Sequence, residues 1–132
     1  MRSVARSAHV VVAWVLVAGL LIQIFLAGLG VFRGPESFLT HRDFGYTLEL
    51  LPLILLVLGL IAGLGRRAAL LAAGIFGLFL LQSVFVGIRT SAPEVAALHP
   101  VNGFLITLLS IVLARDAWLG RRAVKEAGPA AP

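Results

Sequence analysis

The sequence predicts an all-α integral membrane fold, an up-down bundle of four helices, on three observations. Its 132 residues are 60% hydrophobic and only 13% charged, with a mean hydropathy of +1.03, far from the balance of a water-soluble domain. Four apolar stretches reach the about 20 residues that a helix needs to cross a hydrocarbon core. The basic residues gather in short segments between and beyond those stretches. Lipid is therefore the principal solvent.

The spans are residues 8–32, 44–64, 68–88 and 95–114. Arg2 and Arg6 stand ahead of the first as in a secretory signal, but the apolar run is longer than an h-region and no small-residue cleavage site follows. It is read as the first helix. Arg2, Arg6, Arg66, Arg67, Arg115, Arg121, Arg122 and Lys125 fall on one side of the spans, Arg33, Arg42 and Arg89 on the other. Eight against three predicts a multi-pass protein of a bacterial-type plasma membrane with both termini cytoplasmic. The connection Gly65-Arg66-Arg67 is so short that the second and third helices must be antiparallel neighbours. Residues 119–132, basic and rich in Ala, Gly and Pro, predict a disordered cytoplasmic tail.

No cysteine is present, so disulfides and thiolate-held metals are excluded and any metal must be held by His, carboxylate or amide groups. The net charge of +5 arrives as basic doublets without interleaved aromatics. That pattern reads as topology and not as a nucleic-acid surface.

The segment 23–45 recurs as 82–103 once one residue is gapped. Gln23 matches Gln82, Gly28 matches Gly87, Pro35-Glu36 matches Pro93-Glu94, His41 matches His99 and Gly45 matches Gly103. Glycine matches are cheap among fourteen glycines, but Gln23 and Gln82 are the only glutamines and two of the three histidines fall in register. Each half holds two helices, so the halves share an orientation and are related by a pseudo-two-fold axis along the membrane normal. His41 and His99 open the second and fourth helices at the outer end, on diagonal partners of the bundle. A diagonal of roughly 12 to 14 Å suits two imidazoles reaching inward to one iron. The pair predicts the axial ligands of a single bis-histidine heme b.

Around it, Gly45 and Gly103 lie one turn deeper than their histidines and leave space for a flat macrocycle. Gln23 and Gln82 are expected to turn inward and hydrogen-bond the histidines, the propionates or water. Arg33, Arg42 and Arg89 share the outer rim and could pair with propionates. A single histidine at a helix start is ordinarily a wetted interfacial residue, and His9, which has no repeat mate, is read so. Glu36 and Glu94 are read chiefly as acidic groups at helix starts, Ser91-Ala92-Pro93-Glu94 having the form of a capping box, with catalysis as the alternative. Glu49 lies at membrane depth two turns below His41 and is a candidate proton-relay group. Pro100 marks a kink or a helix start, Pro52 a bend, and Gly74 and Gly77 close helix packing.

The opening His41-Arg42 with Gly45, the opening Leu98-His99, and the run from Gln82 through Arg89 to Gly103 resemble one four-helix half of heme A synthase, and a family of small four-helix heme-binding membrane proteins. The resemblance covers most of the chain between Gln23 and Gly103. It implies heme ligation by His41 and His99, and it places Glu36 in the loop where that family carries a functional glutamate. The outer loop here is short and lacks the family's cysteine pair, and one bundle stands where the commoner members have two. The expectation is thus a membrane cytochrome b that moves electrons near the outer leaflet. A quinone or respiratory redox protein is its expected partner and a homo-oligomer is allowed. A heme-modifying enzyme and a heme-free helper subunit are the alternatives.

Overall fold

The computed structural model describes residues 1–126. Its elements are α1 (Arg2–Arg33), a 3-10 turn (Pro35–Ser37), α2 (Phe38–Ala62), α3 (Gly65–Gly87), a short α4 (Pro93–Ala96) and α5 (His99–Glu126). The four long helices are each apolar enough to cross a bilayer. The chain is a multi-pass membrane protein folded as a four-helix bundle. α1 packs on α2 and α5, and α3 packs on α2 and α5, so α2 and α5 face each other across the diagonal. The repeat-related helices thus hold the positions that the pseudo-symmetry requires.

The core is a narrow seam. Leu16, Leu55, Ile75, Ile106 and Leu113 are almost fully buried, whereas Leu21, Phe25, Leu60, Leu70 and Phe104 face outward. In lipid an outward leucine is in its proper solvent, so association relies on close packing more than on apolar burial. Gly19 supplies one such approach, since a Cβ there would stand 2.5 Å from Leu48 Cδ2. Gly74 and Gly77 do not: both are exposed and nothing lies within 4 Å of either, so the expected helix contact at these two is corrected. They lie on the lipid face of α3.

The helix ends differ most from the hydropathy limits at the two chain termini. α1 starts at Arg2 and runs 32 residues, about 48 Å, so its arginine-bearing first turns project beyond a hydrocarbon core of about 30 Å. α5 likewise continues to Glu126, past residue 118, beyond which the sequence predicts a disordered tail. The expected disordered tail is therefore helical through Glu126, and its remainder, residues 127–132, lies outside the described residues. Between α2 and α3 the chain reverses over Gly63-Leu64-Gly65, where Gly63 at φ 67° and Gly65 at φ 83° adopt the left-handed conformation that a side chain would strain.

Pro52 sits buried within a continuous α2. Pro100 is the second residue of α5, where a missing N–H costs nothing, and the short α4 precedes it as an interfacial turn. The capping box does not form: Ala92 occupies the cap position without a side-chain bond, and Ser91 Oγ instead donates to the Ile88 carbonyl at 3.2 Å. Glu36 and Glu94 do occupy the first turns of their short helices, both exposed.

Candidate functional site

α2 begins three residues before His41, and α5 begins at His99, so both imidazoles hang from first turns at the end of the bundle away from the N-terminus. The two rings meet on the diagonal with centroids 6.2 Å apart and planes inclined at 64°. On α1, Gln23 links to His41 twice: its Nε2 donates to the His41 carbonyl at 2.7 Å, and its own carbonyl lies 3.1 Å from His41 Nδ1. An Nδ1–H donated to that carbonyl would present Nε2 as the free, lone-pair-bearing nitrogen. The second half repeats the plan loosely. His99 lies beside the backbone of Gln82, but its Nδ1 is buried without a hydrogen bond of good geometry.

The repeated glycines have a defined neighbour. A Cβ on Gly45 would lie 2.7 Å from Gln23 Nε2, and one on Gly103 would lie 3.2 Å from Gln82 Nε2. Each Gln amide therefore fills the notch that its glycine leaves on the adjacent helix. The space assigned to a macrocycle at Gly45 and Gly103 is corrected accordingly: in this structure it belongs to the glutamines. Gly45→Ala should consequently displace Gln23 and break its bond to the His41 carbonyl, costing about 1 to 2 kcal/mol in a reversible unfolding assay in detergent. Gly103→Ala, with more clearance, should cost less.

The two halves have diverged around this shared plan. Gln23 Oε1 is buried without a partner, whereas Gln82 Oε1 accepts a hydrogen bond at 2.9 Å from Asn102 Nδ2, which also donates to the Leu78 carbonyl at 2.8 Å. Asn102 is buried and is the site residue that sequence reasoning missed. Its signal was present: an amide inside a span, one turn after His99, demands an internal partner. Phe44 holds the equivalent place in the first half.

Both glutamines, the Gly45 notch and the first histidine fall in one stretch that relates this chain to others. The sequence pattern of a family of unknown function, DUF6220, matches residues 23–90, just over half of the chain. The chain belongs to the DUF6220 family. No curated protein and no solved structure matches it. The matched DUF6220 segment opens at Gln23 and includes His41 and Gln82, while His99 and Asn102 lie beyond it.

The other expected residues stand at the rim. In this DUF6220 chain Arg42 Nε pairs with Asp43 at 2.8 Å and Arg89 Nη1 donates to the Val86 carbonyl at 2.9 Å. Arg33 closes α1, and all three arginines are exposed at the same end of the bundle as the histidines. Among the described residues none of them hydrogen-bonds an imidazole, so the structure brings together His41, His99 and the glutamines but leaves the arginines around them. Glu49 is half-buried on α2. His9 is not a wetted surface residue: it is fully buried, with both ring nitrogens lacking a partner, and packs over Gly59 of α2. Among the described residues no group of three or more His, Cys, Asp or Glu side chains converges as a metal site.

Proposed function

We propose that the outer end of the bundle is a bis-histidine site for one heme b and that the protein carries electrons within the membrane. The observation that supports this is the separation of the two imidazoles. Two iron–nitrogen bonds of about 2 Å, with a little over 1 Å from each nitrogen to its ring centre, separate axial imidazole centroids by about 6 Å. His41 and His99 stand at 6.2 Å. The donor set also fits, because His41 and His99 on opposed helices could supply both of the protein ligands that a heme iron would need, so no third protein ligand would be required.

When bound, heme supplies one-electron chemistry. The chain's own part is to orient and tune the ligands: the Gln23 carbonyl holds His41 Nδ1 and fixes the ring, and lipid-facing surface keeps bulk water away. A macrocycle between the rings would meet the glutamine amides rather than open notches, so Gln23 and Gln82 become its polar neighbours, and Arg33, Arg42 and Arg89 the cations nearest to propionates at the rim. A quinone or a respiratory redox protein is the partner of such a carrier, with a homo-oligomer allowed. The deciding experiment is the absorption spectrum of detergent-purified protein, oxidised and reduced, made with ample heme supply. A low-spin spectrum with unmodified heme b on pyridine extraction supports the proposal; no Soret band favours a heme-free helper subunit.

The orientation proposed is both termini cytoplasmic in the plasma membrane, on the eight-to-three distribution of basic residues. Because the chain lacks cysteine, single cysteines at Glu36 and Glu94 give a clean assay. Both should react with a membrane-impermeant thiol reagent added outside intact cells, and labelling only after lysis would invert the orientation.

The same two glutamates separate an electron carrier from a heme-modifying enzyme of the heme A synthase type. Exposed in short first turns, they are placed to favour the helix ends, a role whose loss costs about 0.3 to 1 kcal/mol and leaves chemistry alone. Glu36→Gln and Glu94→Gln are expected to retain heme, with unmodified heme b extracted in every variant. A hydroxylated or oxidised heme that disappears in Glu36→Gln while heme binding persists would favour the enzyme.

A further inference from the structure

The opposite end of the bundle holds a second arrangement that the outer site does not use. A cleft of about 250 Å³ opens there, lined by Arg6 and His9 of α1, Arg67 and Leu71 of α3, and Leu113 and Asp116 of α5. His9 is its buried floor: the ring is 0% exposed and neither nitrogen has a hydrogen-bond partner. A buried imidazole is ordinarily satisfied, so this donor and acceptor point to a polar ligand. The charged wall defines its sign. Arg67 Nε binds Asp116 Oδ2 at 2.9 Å, which leaves the two terminal nitrogens of that guanidinium, and Arg6 makes no ion pair among the described residues. Two guanidiniums thus face one carboxylate, with Arg2, Arg66 and Arg115 at the same end.

We propose that this cleft is a binding site for a phosphate group, held by Arg6 and Arg67 and accepting a hydrogen bond from His9. Guanidinium forks match the paired oxygens of a phosphate, and the imidazole supplies a donor at the base that water-exposed lysines could not. The cleft lies where the span meets the membrane surface, so the phosphate can belong to an anionic lipid headgroup or to a small soluble phosphate.

The test follows the ring nitrogens of His9 by NMR in full-length protein labelled with nitrogen-15 histidine. One arm titrates inorganic phosphate against chloride at matched ionic strength in a neutral detergent; the other compares nanodiscs of phosphatidylcholine with and without phosphatidylglycerol. A saturable shift of His9 is expected, weakened about tenfold in Arg6→Gln and in Arg67→Gln, and largely retained in Arg6→Lys and in Arg66→Gln. A shift from phosphatidylglycerol that competes with phosphate assigns the site to a lipid headgroup, and a shift from phosphate alone assigns it to a soluble ligand. No saturable shift in either arm, or equal weakening in Arg66→Gln, overturns the proposal. Arg6→Lys also reports on folding, since it keeps the charge and loses only the fork.

Discussion

Replacement of either His41 or His99 by alanine is expected to abolish the low-spin heme spectrum, while His9→Ala leaves it unchanged. The size of this effect follows from coordination. If His41 and His99 hold one heme as proposed, a single remaining imidazole could not sustain the low-spin spectrum, so each removal would act as all or none rather than as a graded loss. The two positions are not equivalent in a milder test. His41 is fixed through Nδ1 by the Gln23 carbonyl at 3.1 Å, whereas the His99 Nδ1 has no partner of good geometry. Gln23 also bonds the His41 backbone, so Gln23→Leu should loosen that ligand and broaden or shift the spectrum without eliminating it. The counterpart change Gln82→Leu acts mainly through Asn102. A His99→Ala protein with an unaltered low-spin spectrum would remove the site.

The architecture was legible because hydropathy and the repeat report on different things and agree. Apolar runs counted the spans, and the register of Gln23 with Gln82 and His41 with His99 put two like hairpins side by side, which places α2 and α5 on a diagonal. Helix ends were less legible because hydropathy marks where lipid begins and ends, not where backbone hydrogen bonding does. Nothing in Arg2 to Ser7, or in Arg115 to Lys125, interrupts a helix, so α1 and α5 continue into water.

The glycines show a different limit. A recurring Gly says that something approaches closely, but Gly45 and Gly103 receive a side chain of the neighbouring helix, and Gly74 and Gly77 receive nothing. Only the pairing of Gln23 with Gly45, and of Gln82 with Gly103, carried the information, since both pairs repeat together. His9 was misread because its partner glycine, Gly59, has no repeat mate.

Asn102→Leu is expected to be the most destabilising polar change beside the two histidines, by about 1 to 3 kcal/mol, because it removes both bonds of the Asn102 amide and strands the Gln82 acceptor. Asn102 is 4% exposed and its amide satisfies both the Leu78 carbonyl at 2.8 Å and Gln82 Oε1 at 2.9 Å. The Leu78 carbonyl already serves its helix and tolerates the loss. The Gln82 amide oxygen, half-buried on α3, loses its one hydrogen-bond donor among the described residues. Membrane hydrogen bonds average only about 0.6 kcal/mol when both states find partners, so the cost here lies in the stranded acceptor more than in the bond itself. The double variant Gln82→Met with Asn102→Leu removes both groups and should recover most of the loss. Reversible unfolding in mixed detergent measures all three proteins. A double variant as unstable as Asn102→Leu alone would show that Asn102 acts through packing against α3 and not through the amide pair.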